Sequence, residues 1–179
     1  MPAVYGILRL TFPSPARRLT IAALVSAALL GGTTVPALAQ FRNEIAHNPA
    51  ACRAGARSPA VFVTIDGVKQ NGGTVRVQLY RGIKADWLER GRWVNRIQLP
   101  ARAGRMQVCM PVPIAGTYAI AVRHDINSNG RTDLRTDGGG MSNNPSINIF
   151  NLGRPSYTRT AFPVAAGEVK PITIEMKYM

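Results

Sequence analysis

Between Gly116 and Asp133 the chain reads GTYAIAVRHDINSNGRTD, an alternating run that passes directly into a loop of oxygen-bearing side chains. The alternation constrains the fold most. Tyr118, Ile120, Val122 and His124 share one face of an extended strand, and Ala119, Ala121 and Arg123 take the other, because side chains along a strand alternate with a period of two. The loop that follows has the spacing DxNxNGxxD. Asp125, Asn127 and Asn129 stand at alternate positions, Gly130 permits a sharp turn, and Asp133 comes three residues later. Hard cations such as calcium take cages of this kind of oxygen. The Arg131 carbonyl completes the candidate ligand set. An EF-hand-type loop would place a bidentate Glu at its twelfth position, which here is Thr136, with Asp137 one residue late. The other reading of the same residues is a long hairpin turn, in which Asp and Asn bond their own backbone and Gly supplies positive φ.

Period-two patterning recurs along the chain. Val61 to Asp66 sets Val61, Val63 and Ile65 against Phe62 and Thr64, and Thr74 to Arg81 sets Val75, Val77 and Leu79 against Arg76, Gln78 and Tyr80. Asn71 to Gly73 is a turn signal between them. Val94 to Leu99 is a weaker strand, and Arg105 to Val112 alternates Met106, Val108 and Met110 with Gln107 and Cys109. Pro111 and Pro113 mark that strand as an edge. Two further strands are expected at Arg159 to Val164 and Val169 to Tyr178, the second with Ile172, Ile174, Met176 and Tyr178 on one face. Ile83 to Arg92 breaks the pattern, which predicts a single helical turn carrying Trp87 and Leu88. Trp87 and Trp93 read as core anchors rather than sugar-stacking platforms. Past the loop, Asn144 as a cap, Pro145 at the first helical position and Gly153 as a stop predict a short helix with Ile147 and Phe150 facing inward. About seven short strands at spacings of roughly 10 to 20 residues predict one antiparallel β-sandwich with Greek-key connections, a closed barrel being the alternative.

Residues 1–39 read as a secretory signal peptide. Arg17 and Arg18 precede an apolar run from Leu19 to Leu30, and Ala37-Leu38-Ala39 supplies small residues for cleavage between Ala39 and Gln40. That run is shorter than the roughly 20 residues a membrane-spanning helix needs, and Pro36 follows it, so no transmembrane segment is expected after removal. Ordinary secretion fits the Arg pair better than a twin-arginine route. The expected location is periplasmic or secreted. Residues 40–60 form an N-terminal arm and residues 61–179 the sandwich domain.

Charge bounds the partners. Of 22 Lys and Arg only Arg9, Arg17 and Arg18 precede Gln40, which leaves 19 against all 9 acidic residues, a net +10 from residue 40 onward. Seven of the basic residues fall between positions 81 and 105. Such an excess favours encounter with anionic partners, an envelope component or polysaccharide, although a solvated basic surface is the more ordinary account of it. No aromatic-interleaved motif points to nucleic acid. Cys52 and Cys109 are the only cysteines, and an exported chain meets oxidising machinery, so a disulfide is predicted. Zinc spacing is absent, His47 and His124 being the only other soft ligands.

The residues from Gly116 to Pro145, GTYAIAVRHDINSNGRTD followed by GGGMSNNP, resemble the domain of unknown function 2141 family of uncharacterised secreted bacterial proteins. The resemblance implies a signal peptide and one all-β domain of transthyretin-like or immunoglobulin-like look over Val61 to Tyr178, and it implies no activity. Members carry a proline, a glutamate and an aromatic residue ahead of the SNN triplet, where this chain has Asp137, three glycines and Met141. The leading expectation is therefore an exported, non-enzymatic module whose loop holds calcium. A second is an adhesion or ligand-binding module presenting the Arg81 to Arg105 region and its tryptophans to an anionic polymer or lipid headgroup. A third is an enzyme with His124 as acid or base beside Asp125, oriented by Asp133 or Asp137, although no nucleophile motif such as GxSxG accompanies it.

Overall fold

A computed structural model describes residues 42–147 and 153–179. The expected signal peptide at 1–39, its cleavage point between Ala39 and Gln40, and Phe150 lie outside the described residues. In chain order come β1 (Asn43–Glu44), a turn of 3-10 helix (Pro49–Cys52), β2 (Ala60–Val68), β3 (Thr74–Arg81) and β4 (Asn95–Pro100). They are followed by β5 (Gly104–Pro111), β6 (Gly116–Asp125), β7 (Gly138–Met141), α1 (Tyr157–Thr160), β8 (Phe162–Val164), β9 (Val169–Glu175) and β10 (Lys177–Tyr178).

Two sheets form a sandwich. The larger has the order β1-β4-β3-β6-β7-β10, with β8 pairing the start of β6, and the smaller has the order β5-β2-β9. Neither closes into a barrel. The alternation read from the sequence sets the core. Val75, Val77 and Leu79 of β3 and Ile120, Val122 and His124 of β6 are buried on one side, facing Val61, Val63 and Ile65 of β2 and Met106, Val108 and Met110 of β5. Removing this apolar surface from water, at about 25 cal/mol per Å², is the main force holding the sheets together. As its prolines predict, β5 is an edge.

The sandwich is mixed, which corrects the all-antiparallel expectation. β2 pairs β9 in parallel, Ala60 opposite Val169 through Asp66 opposite Glu175, and β1 pairs β4 in parallel. The cause lies in the last segment, which changes sheets twice. β8 pairs β6, the turn at 165–168 carries the chain across to the small sheet, and Met176 carries it back so that β10 pairs β7. Met176 is 7% exposed and its N–H donates to the Asp66 carbonyl at 2.8 Å, so the single strand expected at Val169 to Tyr178 is split there.

Other departures are local. The segment after β3 forms turns rather than a helix, with one helical-type bond from the Trp87 N–H to the Ile83 carbonyl at 3.1 Å. It is pinned by Asp86, fully buried, which accepts from Arg81 and from Arg92 Nη2 at 2.7 Å. Trp87 lies edge-on to Tyr80 with ring centroids 5.5 Å apart and donates to the Pro155 carbonyl at 2.8 Å. Both belong to a second apolar cluster on the outer face of the large sheet, with Ala119 and Met141. The helix expected from Asn144 is not present at 144–147, because Asn143 and Asn144 take left-handed backbone (φ 62° and 45°). A helix forms instead at α1, where the Ser156 hydroxyl accepts the Thr158 N–H, and it replaces the first part of the strand expected from Arg159.

Candidate functional site

β6 delivers Asp125 to the mouth of the loop, buried at 2% exposure between the strand and the turn it begins. Its Oδ1 accepts the Asn129 N–H at 3.1 Å, and its Oδ2 accepts the Gly130 N–H at 2.9 Å and Arg123 Nη2 at 3.1 Å. Ser128 and Gly130 take left-handed φ, turning the chain back sharply enough for these bonds. Asn127 Oδ1 accepts the Asn129 N–H at 3.1 Å and Asn129 Oδ1 accepts the Arg131 N–H at 2.7 Å, both local Asx bonds. The amide nitrogens of Asn127 and Asn129 point to one atom, Asp133 Oδ2, at 3.1 and 2.7 Å. Asp137, 6% exposed, closes the base of the loop by accepting the Ile126 N–H at 3.1 Å and the Asp133 N–H at 3.0 Å.

Of the five residues expected to ligate a metal, Asn127, Asn129 and Asp133 therefore meet through their side chains, while Asp125 accepts from the loop backbone and from Arg123. Arg131 contributes its N–H to the turn. The hydrogen bonds are those of the hairpin-turn alternative. Among the described residues no group of three His, Cys, Asp or Glu side chains gathers as a metal cluster. As a donor set the loop offers two carboxylates and two amides, all hard oxygen, which suits calcium and excludes soft metals. Arg123 competes with any cation for Asp125 Oδ2.

His124 lies on the other side of the strand, fully buried. Its Nδ1 sits 2.8 Å from the Tyr178 hydroxyl and its Nε2 2.9 Å from the Gly72 carbonyl, so both nitrogens are spent inside the fold and neither reaches Asp125, Asp133 or Asp137. Gly73 beside it (φ +74°) is forced by space as well as by angle, since a Cβ there would strike the Asp125 and Ile126 carbonyls.

Of the basic residues between 81 and 105, four are held by contacts within the fold. Arg81 and Arg92 hold Asp86, Arg105 holds Asp66 with Nε to Oδ1 at 2.6 Å, and Arg96 lies 3.7 Å over the Trp93 ring. Trp87 is 6% exposed and unavailable for stacking on a ligand. Arginines from other parts of the sequence meet instead on the outer face of the large sheet. Arg76 stands opposite Gln98 on one side and Arg123 on the other, Arg123 opposite Gly139, and Gly139 opposite Lys177, one row across five strands. In the next row Arg96 stands opposite Gln78. The row ends in a groove of about 470 Å³ lined by Tyr80, Ala121, Arg123, Met141, Arg154 and Lys177, among others.

Two further features tie separate segments of the fold together. The disulfide between Cys52 and Cys109 is formed and fastens the arm to β5, where His47 Nε2 also accepts the Cys109 N–H at 3.1 Å. Ser142, Asn143 and Asn144, of which the sequence assigns a part only to Asn144, as a helix cap, bond the backbone of three neighbouring segments. Ser142 Oγ donates to the Thr160 carbonyl at 2.6 Å and accepts the Ile120 N–H at 3.0 Å. Asn143 donates to the Ala161 carbonyl at 2.9 Å, and Asn144 both donates to the Thr173 carbonyl at 3.1 Å and accepts the Glu175 N–H at 2.9 Å. Three adjacent short polar residues after a glycine run were the available signal.

Fold and site together define an all-β sandwich module whose central strand ends in an Asx-rich loop. Residues 63–172 match the family described as "Uncharacterized protein conserved in bacteria (DUF2141)", more than half of the chain. The chain belongs to that family, as its Gly116 to Pro145 stretch led us to expect. Comparison with curated proteins and with solved structures gives no match.

Proposed function

We propose that this is an exported, non-enzymatic binding module whose loop from Asp125 to Asp133 takes a calcium ion that fixes the end of the central strand. The observation that supports it is the direction of Asn127, Asn129 and Asp133, which meet at a single carboxylate oxygen, with Asp125 already anchored behind them. Calcium would be held by the side chains of Asp125, Asn127, Asn129 and Asp133 and the Arg131 carbonyl, the two amides turning their oxygens inward. It would supply a fixed positive centre in place of hydrogen bonds that solvent can exchange. Two carboxylates beside Arg123 give weak attraction, so binding in the submillimolar to millimolar range of extracellular modules is expected.

Thermal melts with calcium and with chelator test this. With free calcium tenfold above Kd the unfolding free energy should rise by about 1.4 kcal/mol, a gain of a few degrees. Asp133→Asn, which keeps the shape and removes one charge, should abolish the gain. Coincident melts in calcium and chelator, together with no calorimetric heat, would refute the reading.

A further inference from the structure

Where β3, β4 and β6 lie side by side, their outward faces bring three guanidinium groups into one small area. Arg76 faces Arg123 directly across the strand pair, and Arg96 is one row away opposite Gln78. Like charges directly opposite one another destabilise a sheet. They are also poorly hydrated, since the Arg96 and Arg123 side chains are only 15% and 16% exposed. Burial, and after it the charges of Arg123 and Arg96, pull Arg76 below the ordinary guanidinium value.

Carboxylates do not neutralise this group fully. Arg76 donates through Nε to a neutral acceptor, Gln98 Oε1, at 2.8 Å, its one hydrogen bond among the described residues. Arg96 has Glu44 Oε2 at 3.7 Å, and Glu44 sits at the exposed rim on β1, where it also accepts from Gln98. Arg123 spends its Nη atoms on Thr132 Oγ1 at 2.8 Å and on Asp125, whose other bonds go to the loop. The Nε atoms of Arg96 and Arg123 are buried with no hydrogen-bond partner among the described residues. A buried donor left unpaired is costly, and the fold places two of them beside a like-charge contact.

We infer that the outer face of the large sheet is an oxyanion site, in which Arg76, Arg96 and Arg123, flanked by Gln78 and Gln98, receive one phosphate group. Guanidinium forks match phosphate oxygens in pairs, and a single tetrahedral anion offers enough acceptors for several of them at once. With the Arg96 and Arg123 side chains mostly covered, the cluster suits one group entering from solvent better than a broad charged surface. Beside Arg123 the groove leaves room for whatever the phosphate is attached to. Arg123 touches the loop through Asp125 and Thr132, so the site is tested without calcium.

The experiment is calorimetry and thermal melting with inorganic phosphate, in chelator, against sodium chloride at matched ionic strength. The expected result is saturable heat and a rise in melting temperature with phosphate beyond that in chloride. Arg76→Gln, chosen because Arg76 touches neither the loop nor the core, should weaken phosphate binding at least tenfold while melting no lower than the parent without ligand. A melt that responds equally to phosphate and chloride overturns the proposal, as does unchanged affinity in Arg76→Gln. A parallel arm uses phosphatidylglycerol vesicles. Sedimentation with vesicles and no response to free phosphate also overturns it, because that pattern belongs to a diffuse surface charge.

Discussion

The hydroxyl of Tyr178 accepts the Lys69 N–H at 2.9 Å, so its own proton is free to go to His124 Nδ1. That leaves the imidazole proton on Nε2, where the Gly72 carbonyl receives it. One ring orientation and one tautomer satisfy all three neighbours, which is why a histidine is tolerated among valines and isoleucines. Tyr80 is held differently, by exclusion of water. Its phenol is 4% exposed and burial pushes it up to about 12, against smaller lowering by Arg96 and Arg76. A raised folded value means the neutral phenol is favoured in the fold, so this stability is whole below pH 10 and drains away as pH climbs from about 10 to 12. Two units correspond to about 3 kcal/mol. Tyr80→Phe should therefore melt like the parent at pH 7 and retain more of its stability above pH 10, as read from melts across that range. A parent and variant that lose stability in parallel would show that Tyr80 is not the group responsible.

At the level of elements, the strands with clean alternation, β2, β3, β5 and β6, lie within two residues of where the pattern puts them, because each has one buried face and burial enforces the period. β7 was hidden. Its sequence, GGGM, has neither β-branched residues nor alternation, yet glycine is what the place demands: a Cβ on Gly140 would lie 2.7 Å from Ile174 Cγ2 and 2.8 Å from the Glu175 carbonyl. The loop spacing was legible both as a metal loop and as a turn in which Asp and Asn bond their own backbone, and the spacing alone did not choose the turn bonding that is found. The arginine row was invisible for another reason: Arg76, Arg96 and Arg123 are neighbours only through strand register. The clamp after β7 gives an elemental prediction. Ser142→Ala removes the acceptor of the buried Ile120 N–H and the donor to the Thr160 carbonyl, and should lower unfolding free energy by about 1 to 3 kcal/mol in denaturant titration. A change below about 0.5 kcal/mol would mean that water replaces the hydroxyl there.

Across the whole molecule, the arm contributes little surface of its own and is secured by β1 on β4 and by the Cys52–Cys109 bond. The two cysteines are 57 residues apart in sequence, so the bond restricts the unfolded chain by about 4 kcal/mol in the chain-entropy account. Cys52→Ser with Cys109→Ser should show a markedly lower melting temperature than the oxidised parent, and reductant should bring the parent down to the same value. Equal melting temperatures for all three would remove the disulfide from any account of stability. Among the described residues no helix is long and apolar enough to cross a membrane.

The parallel pairing of β2 with β9 has a consequence in time as well as in space. Residues 60–66 find their neighbour only in residues 169–175, so the smaller sheet stays an open two-stranded ribbon while all the intervening strands are made. A nascent chain of this kind offers a raw strand edge to chaperones throughout that interval, and the sheet locks only when β9 arrives.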